Sequence, residues 1–132
     1  MQIKFVSVFV KDQEAALQFY TQVLGFTKMA DIPIGEDRWL TVVSPDGIEG
    51  VELVLEPLRF QPAAVYQKAL FVAGIPATAL ISRDIQKDYR DLKARGVVFR
   101  GAPQIAGIIM TVLFEDTCGN LINLVQPEAM EK

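Results

Sequence analysis

The sequence contains no histidine and only one cysteine, and these two absences limit the chemistry available to the protein. Without histidine, the chain lacks the commonest metal ligand and the side chain that most often transfers protons near neutral pH. Catalytic triads and imidazole-bound metal sites are therefore excluded. Cys118 alone cannot form an intramolecular disulfide or a thiolate zinc site, and so low a cysteine content is typical of a reducing compartment.

The chain also lacks an excess of positive charge and a long apolar run. Its 13 basic and 16 acidic residues give a net charge of −3, which argues against nucleic-acid binding. No apolar segment reaches membrane-spanning length, and the residues after Met1 do not form a secretory leader. We therefore expect a cytoplasmic protein without a membrane partner. The 132 residues, 51% of them hydrophobic, predict one globular domain over residues 1–132.

What the sequence does contain is one internal repeat. Asp12 is positioned to cap an amphipathic helix that ends at Gly25, and Asp84 and Gly96 bracket a similar helix about 72 residues later. An apolar run typical of a strand precedes each helix, and three further strand-like runs follow it. Each half therefore predicts the order strand, helix, strand, strand, strand.

The repeat divides the chain into a first module at about 1–56, a connecting segment at 57–74 and a second module at about 75–127. In the second module, we expect the first strand after the helix at Val97–Phe99. The connecting segment predicts a helix from about Ala63 to Val72, which is either a packed linker or a lid over a ligand site.

Several motifs resemble the vicinal oxygen chelate superfamily, which includes glyoxalases, bleomycin-resistance proteins and extradiol dioxygenases. In the first half these are Val10-Lys11-Asp12, Phe19-Tyr20 and Leu24-Gly25-Phe26, and in the second half Asp84-Ile85, the run from Leu92 to Val97 and the run from Phe114 to Leu121. Thr117 stands where the last turn of that family usually has a proline. The resemblance covers essentially the whole chain. It implies an α+β fold in which two βαβββ modules form curved sheets around a cleft.

The resemblance also implies where metal ligands would lie, because catalytic members of that family hold a divalent metal with one His or Glu from each of four strands. The corresponding positions in this chain are Phe5, Glu52, Ala77 and Asn123. Only Glu52 is a competent ligand, and one carboxylate with one amide does not make a transition-metal site. We therefore expect no metal site of the family's usual kind and no other cofactor.

The alternation of side chains along a strand predicts which residues line the cleft instead. Glu52 and Val54 face the cleft if Leu53 and Leu55 face a helix. The residues predicted to line the cleft are Phe5, Ser7, Glu52, Val54, Ala77, Ala79 and Asn123. Phe5 either contacts a ligand or seals the core, and Glu52 either serves the function or simply reaches water. Arg38 is a further candidate, either pairing with an acidic ligand group or lying on the surface.

These residues leave three functions open. The first, favoured by the loss of three metal positions, is a metal-independent protein that holds a small organic ligand in an apolar cleft. The second is a lyase, isomerase or dioxygenase-like enzyme in which Glu52 is the catalytic acid or base, or binds a divalent metal weakly. The third is a protein whose own side chains fill the cleft and which acts through partners. Since single-domain members of the resembled family commonly form dimers, we also expect a homodimer.

Overall fold

The computed structural model describes residues 1–127, which form two mixed four-stranded sheets. The first sheet contains β1 (Phe5–Val10), β2 (Thr27–Ile34), β3 (Asp37–Val43) and β4 (Glu52–Pro57), in the spatial order β1-β4-β3-β2. The second contains β5 (Thr78–Ile81), β6 (Gln104–Ala106), β7 (Ile109–Glu115) and β8 (Leu121–Pro127), in the order β5-β8-β7-β6. The first strand of each sheet runs parallel to the fourth, and the other pairs are antiparallel. The predicted α+β fold of two βαβββ modules is confirmed.

The helices are α1 (Gln13–Gln18), which continues as a π-helical turn at Phe19–Val23, α2 (Gln61–Ala73) and α3 (Ile85–Ala94). The Asp12 carboxylate accepts a hydrogen bond from the Ala15 N–H at 3.0 Å, and Asp84 accepts one from the Lys87 N–H at 3.1 Å. Both predicted helix caps are therefore confirmed. None of the helices within residues 1–127 is long and apolar enough to cross a membrane.

The prediction of a strand at Val97–Phe99 is wrong. Phe99 forms only an isolated bridge with Phe114, and the strand beside β7 is β6, at Gln104–Ala106. Gly101 has a φ of +100°, and Pro103 has no N–H to donate to a neighbouring strand. These two residues interrupt the pairing and delay the regular strand.

A single hydrophobic core joins the two sheets. It is formed by one side of each sheet together with α1 and α3, and includes Val10, Leu55, Phe114 and Ile122. The rings of Phe19 and Phe114 lie 6.4 Å apart between their centroids, so the helix of one half contacts a strand of the other. We call the opposite side of each sheet its open face. The first open face carries Phe5, Thr41 and Glu52, and the second carries Ala79, Thr111 and Asn123.

Candidate ligand-binding site

The first open face brings together an aromatic pair and a carboxylate. Phe5 lies beside Glu52 in the parallel pairing of β1 with β4, and Ser7 lies beside Val54. Phe5 is 46% exposed, and its ring meets Trp39 edge to face, with 5.2 Å between the ring centroids. Phe5 therefore does not belong to the hydrophobic core, and it presents apolar surface to solvent beside Glu52.

Glu52 is only 7% exposed, and both of its carboxylate oxygens have partners. The hydroxyl of Thr41 donates to Oε1 at 2.6 Å, and the ammonium of Lys4 lies 3.2 Å from Oε2. The hydrogen bond from Thr41, followed by the interactions with Lys4, lowers the pKa of Glu52 below its ordinary value. Glu52 is therefore an ionised hydrogen-bond acceptor near neutral pH and a weak base.

The second open face carries Asn123 among small side chains. Asn123 lies beside Ala79 in the parallel pairing of β5 with β8, and its Oδ1 accepts a hydrogen bond from the hydroxyl of Thr111. The repeat in sequence assigns Ala77, together with Asn123, to the metal positions of the second half. In the structure, however, the N–H of Ala77 donates to the carbonyl of Leu121 at 2.8 Å, and Leu121 comes two residues before Asn123. Ala79, rather than Ala77, therefore lies beside Asn123 in the pairing of β5 with β8, just as Phe5 lies beside Glu52 in the pairing of β1 with β4.

A depression of about 250 Å³ lies where residues of the two halves meet. Ser7 and Phe9 of β1 line it, together with Ala77 and with Tyr66 and Gln67 of α2. The depression thus brings Ser7 and Ala77 together, and it does not include Glu52, Val54, Ala79 or Asn123. The side-chain amide of Gln67 donates to the Phe9 carbonyl at 2.8 Å, so α2 is anchored to the edge of β1.

The structure does not bring Arg38 to the first open face. Side chains alternate along β3, so Arg38 lies on the core side with Leu40, whereas Trp39 and Thr41 lie on the open side. The guanidinium of Arg38 is bonded to Glu14 at 2.8 Å and to Asp31 at 2.8 and 2.9 Å. Both acidic partners belong to the chain itself, which explains the position of Arg38 without a ligand.

The side chains at the four positions implied by the family resemblance do not fit a metal. Phe5 and Ala77 offer no donor atom, and Asn123 Oδ1 accepts from Thr111. Both oxygens of Glu52 are engaged by Thr41 and Lys4. Within residues 1–127, no three side chains of His, Cys, Asp or Glu are grouped so that they could hold a metal ion.

Sequence reasoning missed Lys4, Trp39, Thr41 and Thr111. Lys4 precedes β1, and only the folded chain places its ammonium beside Glu52. The two threonines did carry a signal, because Thr41 precedes Glu52 by 11 residues and Thr111 precedes Asn123 by 12. Each half thus repeats a threonine on its third strand that donates to the polar residue on its fourth strand.

Comparisons with known proteins agree with the fold. The model of the Glyoxalase/Bleomycin resistance protein/Dioxygenase superfamily matches residues 2–124. The uncharacterized protein YurT of Bacillus subtilis (strain 168) is 50% identical over 126 residues, which cover 96% of this chain and 99% of YurT. Among solved structures, UcmS2 is 30% identical, with a TM-score of 0.81 and coverage of 95% of this chain and 97% of UcmS2. TnmS3, an antibiotic binding protein from Streptomyces sp. CB03234, is also 30% identical, with a TM-score of 0.76 and coverage of 96% of each chain.

Proposed function

Because the chain belongs to the Glyoxalase/Bleomycin resistance protein/Dioxygenase superfamily, we propose that it is a metal-independent protein that binds a small organic ligand in an apolar cleft. The observation that carries this proposal is the side-chain chemistry at the positions where the family resemblance implies metal ligands, because Phe5 and Ala77 offer no donor atom there. The ligand-contacting residues that we propose are Phe5, Ser7, Glu52, Val54, Ala77, Ala79 and Asn123. Arg38 is left out of this set, since its charge is used by Glu14 and Asp31.

The electrostatics of Glu52 favour binding over proton transfer. A general acid must hold its proton near neutral pH, and a general base works best with a pKa near the working pH. The lowered pKa of Glu52 moves this carboxyl away from both conditions. The alternative of an enzyme that uses Glu52 as acid or base is therefore the weaker one, and binding requires no cofactor.

The composition of the open faces and one relative support the class of ligand that we propose. Apolar walls with a few polar groups are typical of sites for small organic molecules. TnmS3, which shares the fold and 30% of its residues with this chain, is described as an antibiotic binding protein. This supports an organic ligand of similar kind for the present protein.

We also propose that the protein is a symmetric homodimer in the cytoplasm. Apart from Phe5, large apolar side chains are exposed on the open faces, namely Phe9, Ile32, Ile34 and Ile81. A second copy of the chain would cover part of this apolar surface. The lone cysteine, Cys118, is buried and free, in keeping with a reducing cytoplasm.

Binding is tested on untagged protein, because a histidine tag would supply the ligands that this chain lacks. Native mass spectrometry and metal analysis of the purified protein should find a bound organic molecule without stoichiometric metal. The single tryptophan, Trp39, lies beside Phe5, so its fluorescence should change when the recovered molecule is added back. The change should be reduced in Glu52→Gln. Stoichiometric divalent metal, or lactoylglutathione lyase activity, would contradict the proposal.

The dimer is tested separately by light scattering. The expected mass is twice the 14.6 kDa of one chain. A single species at 14.6 kDa would contradict the dimer and would leave the ligand proposal standing.

A further inference from the structure

The ammonium of Lys4 occupies a small cation site on the first open face. Its Nζ lies 3.2 Å from Glu52 Oε2, 3.4 Å from the Gly50 carbonyl oxygen and 5.5 Å from the centroid of the Phe5 ring. A carboxylate, a carbonyl and an aromatic ring therefore lie on one side of this positive charge, and the other side is open to water. These three groups are the usual partners of an ammonium in proteins.

The anionic side of this site is fixed independently of Lys4. Thr41 is fully buried and donates to Glu52 Oε1 at 2.6 Å, which holds the carboxylate in place and leaves Oε2 directed toward the cation. Glu52 itself is 7% exposed, so its charge is less screened by water than that of a surface carboxylate. A positive group is thus favoured at this position, whatever molecule carries it.

The aromatic side is also fixed by the fold. Phe5 is held edge to face against Trp39, with 5.2 Å between the centroids. The pair provides a ring face for a cation and adjacent apolar surface for an organic body. The 46% exposure of Phe5 leaves this surface accessible from solvent.

Lys4 is held at this site only loosely. It lies before β1, and its side chain is 49% exposed. An ion pair that is open to water on one side contributes little net stability, because the ammonium exchanges good hydration for the contact. A ligand that brings its own cation and an apolar body can therefore displace Lys4.

We propose that this site, formed by Glu52, Phe5 and Trp39, binds an organic ammonium group of the ligand, and that Lys4 fills it when no ligand is present. The inference rests on the proposed binding function and adds the chemical class of the ligand. The positive group binds Glu52 Oε2, and the organic body lies on Phe5 and Trp39. Thr41 is a positioning residue, since it acts on the ligand only through Glu52.

Three small probes of nearly equal shape and different charge test the proposal: phenethylammonium, 2-phenylethanol and 3-phenylpropionate. Binding is followed by the fluorescence of Trp39 and by chemical-shift changes in NMR spectra. We expect phenethylammonium to bind about tenfold more tightly than the neutral alcohol, as is usual for a hydrogen bond to a charged group. The anion should bind most weakly. Equal binding of cation and alcohol, tighter binding of the anion, or no binding of the cation would overturn the proposal.

Two variants, Lys4→Met and Lys11→Met, show whether the ligand displaces Lys4 or whether binding depends only on the net charge of the protein. Lys4→Met removes the internal competitor and should tighten binding of phenethylammonium about two- to fivefold, the range set by an exposed ion pair. Lys11→Met removes the same charge from an exposed residue at the other end of β1 and should have no such effect. Weaker binding by Lys4→Met, or equal effects of the two variants, would overturn the displacement of Lys4.

Glu52→Gln should abolish the preference for phenethylammonium over 2-phenylethanol while leaving weak binding of both. If this variant does not fold, the comparison of the three probes on the unaltered protein still decides the matter. The outcome is also distinct from failure of the proposed function. A neutral molecule found bound to the purified protein, together with equal affinity for cation and alcohol, would support binding and overturn the cation site.

Discussion

The hydroxyl of Tyr20 donates a hydrogen bond to Asp116 Oδ2 at 2.8 Å, and neither residue is exposed to solvent. Tyr20 lies in the π-helical turn of the first half, and Asp116 lies in the turn between β7 and β8. The carboxylate of Asp116 also accepts from the N–H groups of Cys118 and Asn120, at 2.8 and 3.0 Å, and from Asn120 Nδ2 at 2.8 Å. A buried carboxylate is tolerated here because four donors surround it.

Replacement of Tyr20 by phenylalanine should therefore destabilise the protein. Tyr20→Phe keeps the ring and removes one of the four donors to a buried carboxylate, so we expect the free energy of unfolding to fall by about 1–3 kcal/mol. Urea unfolding measures the change. Tyr89→Phe is the control, because Tyr89 is half-buried and its hydroxyl accepts only a long bond of 3.3 Å from Lys93. Equal losses in the two variants would contradict the role of the Asp116 contact.

Stability should decline at alkaline pH because of Cys118. Burial, followed by the charge of Asp116, raises the pKa of the Cys118 thiol to about 11. In the unfolded chain, the pKa of a cysteine is about 8.5. The folded state holds the proton more tightly, so this contribution is complete below about pH 8.5 and is lost as the pH rises toward the folded value. We expect a fall in unfolding free energy of roughly 3 kcal/mol over this range.

Cys118→Ala should show a shallower decline between about pH 8.5 and 11, whatever its stability at neutral pH. Burial also raises the pKa of Tyr20 well above its ordinary value, so a further loss above about pH 10 should remain in both proteins. Urea unfolding at several pH values gives both slopes. Identical slopes would contradict the assignment to Cys118.

Gly119 should tolerate alanine much less well than Gly101 does. Both glycines have nearly the same backbone conformation, with φ of +101° and +100°. A Cβ on Gly119 would lie 2.7 Å from Gln67 Oε1, whereas nothing lies within 4 Å of a Cβ on Gly101. Since Gln67 is buried and bonded to Phe9, it cannot move aside freely. We expect Gly119→Ala to cost about 1–3 kcal/mol more than Gly101→Ala in unfolding free energy.

The added variant Gln67→Ala identifies the cause of this difference. In that background, the collision partner of residue 119 is gone, so the penalties of the two alanine substitutions should become similar. A difference that persists without the Gln67 side chain would place its origin elsewhere.

Arg38 should contribute to stability above about pH 4, with a loss in acid, rather than to ligand binding. Its hydrogen bonds lower the pKa of Asp31 to about 2. Since the folded value is depressed, this contribution is present above the ordinary pKa of about 3.9 and is lost as the pH falls toward 2. The urea midpoint of Arg38→Gln should therefore depend less on pH in this window than that of the unaltered protein.

Arg83→Gln, a change at an exposed arginine outside this cluster, is the control for Arg38→Gln. It should leave the acid dependence unchanged. Arg38→Gln should also leave the response of Trp39 to phenethylammonium unchanged, because Arg38 lies on the other side of β3. Loss of that response in Arg38→Gln would contradict this prediction and would indicate that Arg38 takes part in ligand binding.

The sequence alone predicted the features that depend on local pattern. Asp12 and Asp84 are helix caps because a carboxylate before an amphipathic run satisfies free N–H groups within the same turn. Glu52 lies on the other side of β4 from Leu53 and Leu55, as the alternation of side chains along one strand predicted. Such features are set by residues only a few positions apart, so one sequence suffices.

Features that depend on the register between distant segments were not predictable in this way. Lys4 reaches Glu52 only when β1 and β4 are paired. The pairing of β5 with β8 is shifted by two residues from the register that the repeat suggests, so the residue beside Asn123 is Ala79 and not Ala77. The two interpretations of Arg38, a ligand contact or a surface residue, could not be separated from the sequence for a related reason. Its strand was recognised, but its side of the strand depends on which neighbours β3 packs against.

The single hydrophobic core has a consequence for how the molecule loses its structure. Side chains from both halves of the repeat share that core, and the contacts of Phe19 and Tyr20 with Phe114 and Asp116 cross between them. When one half unfolds, the other half loses part of its hydrophobic core. The two halves of the repeat should therefore unfold together in one cooperative transition, and a destabilising substitution in one half should also destabilise the open face of the other.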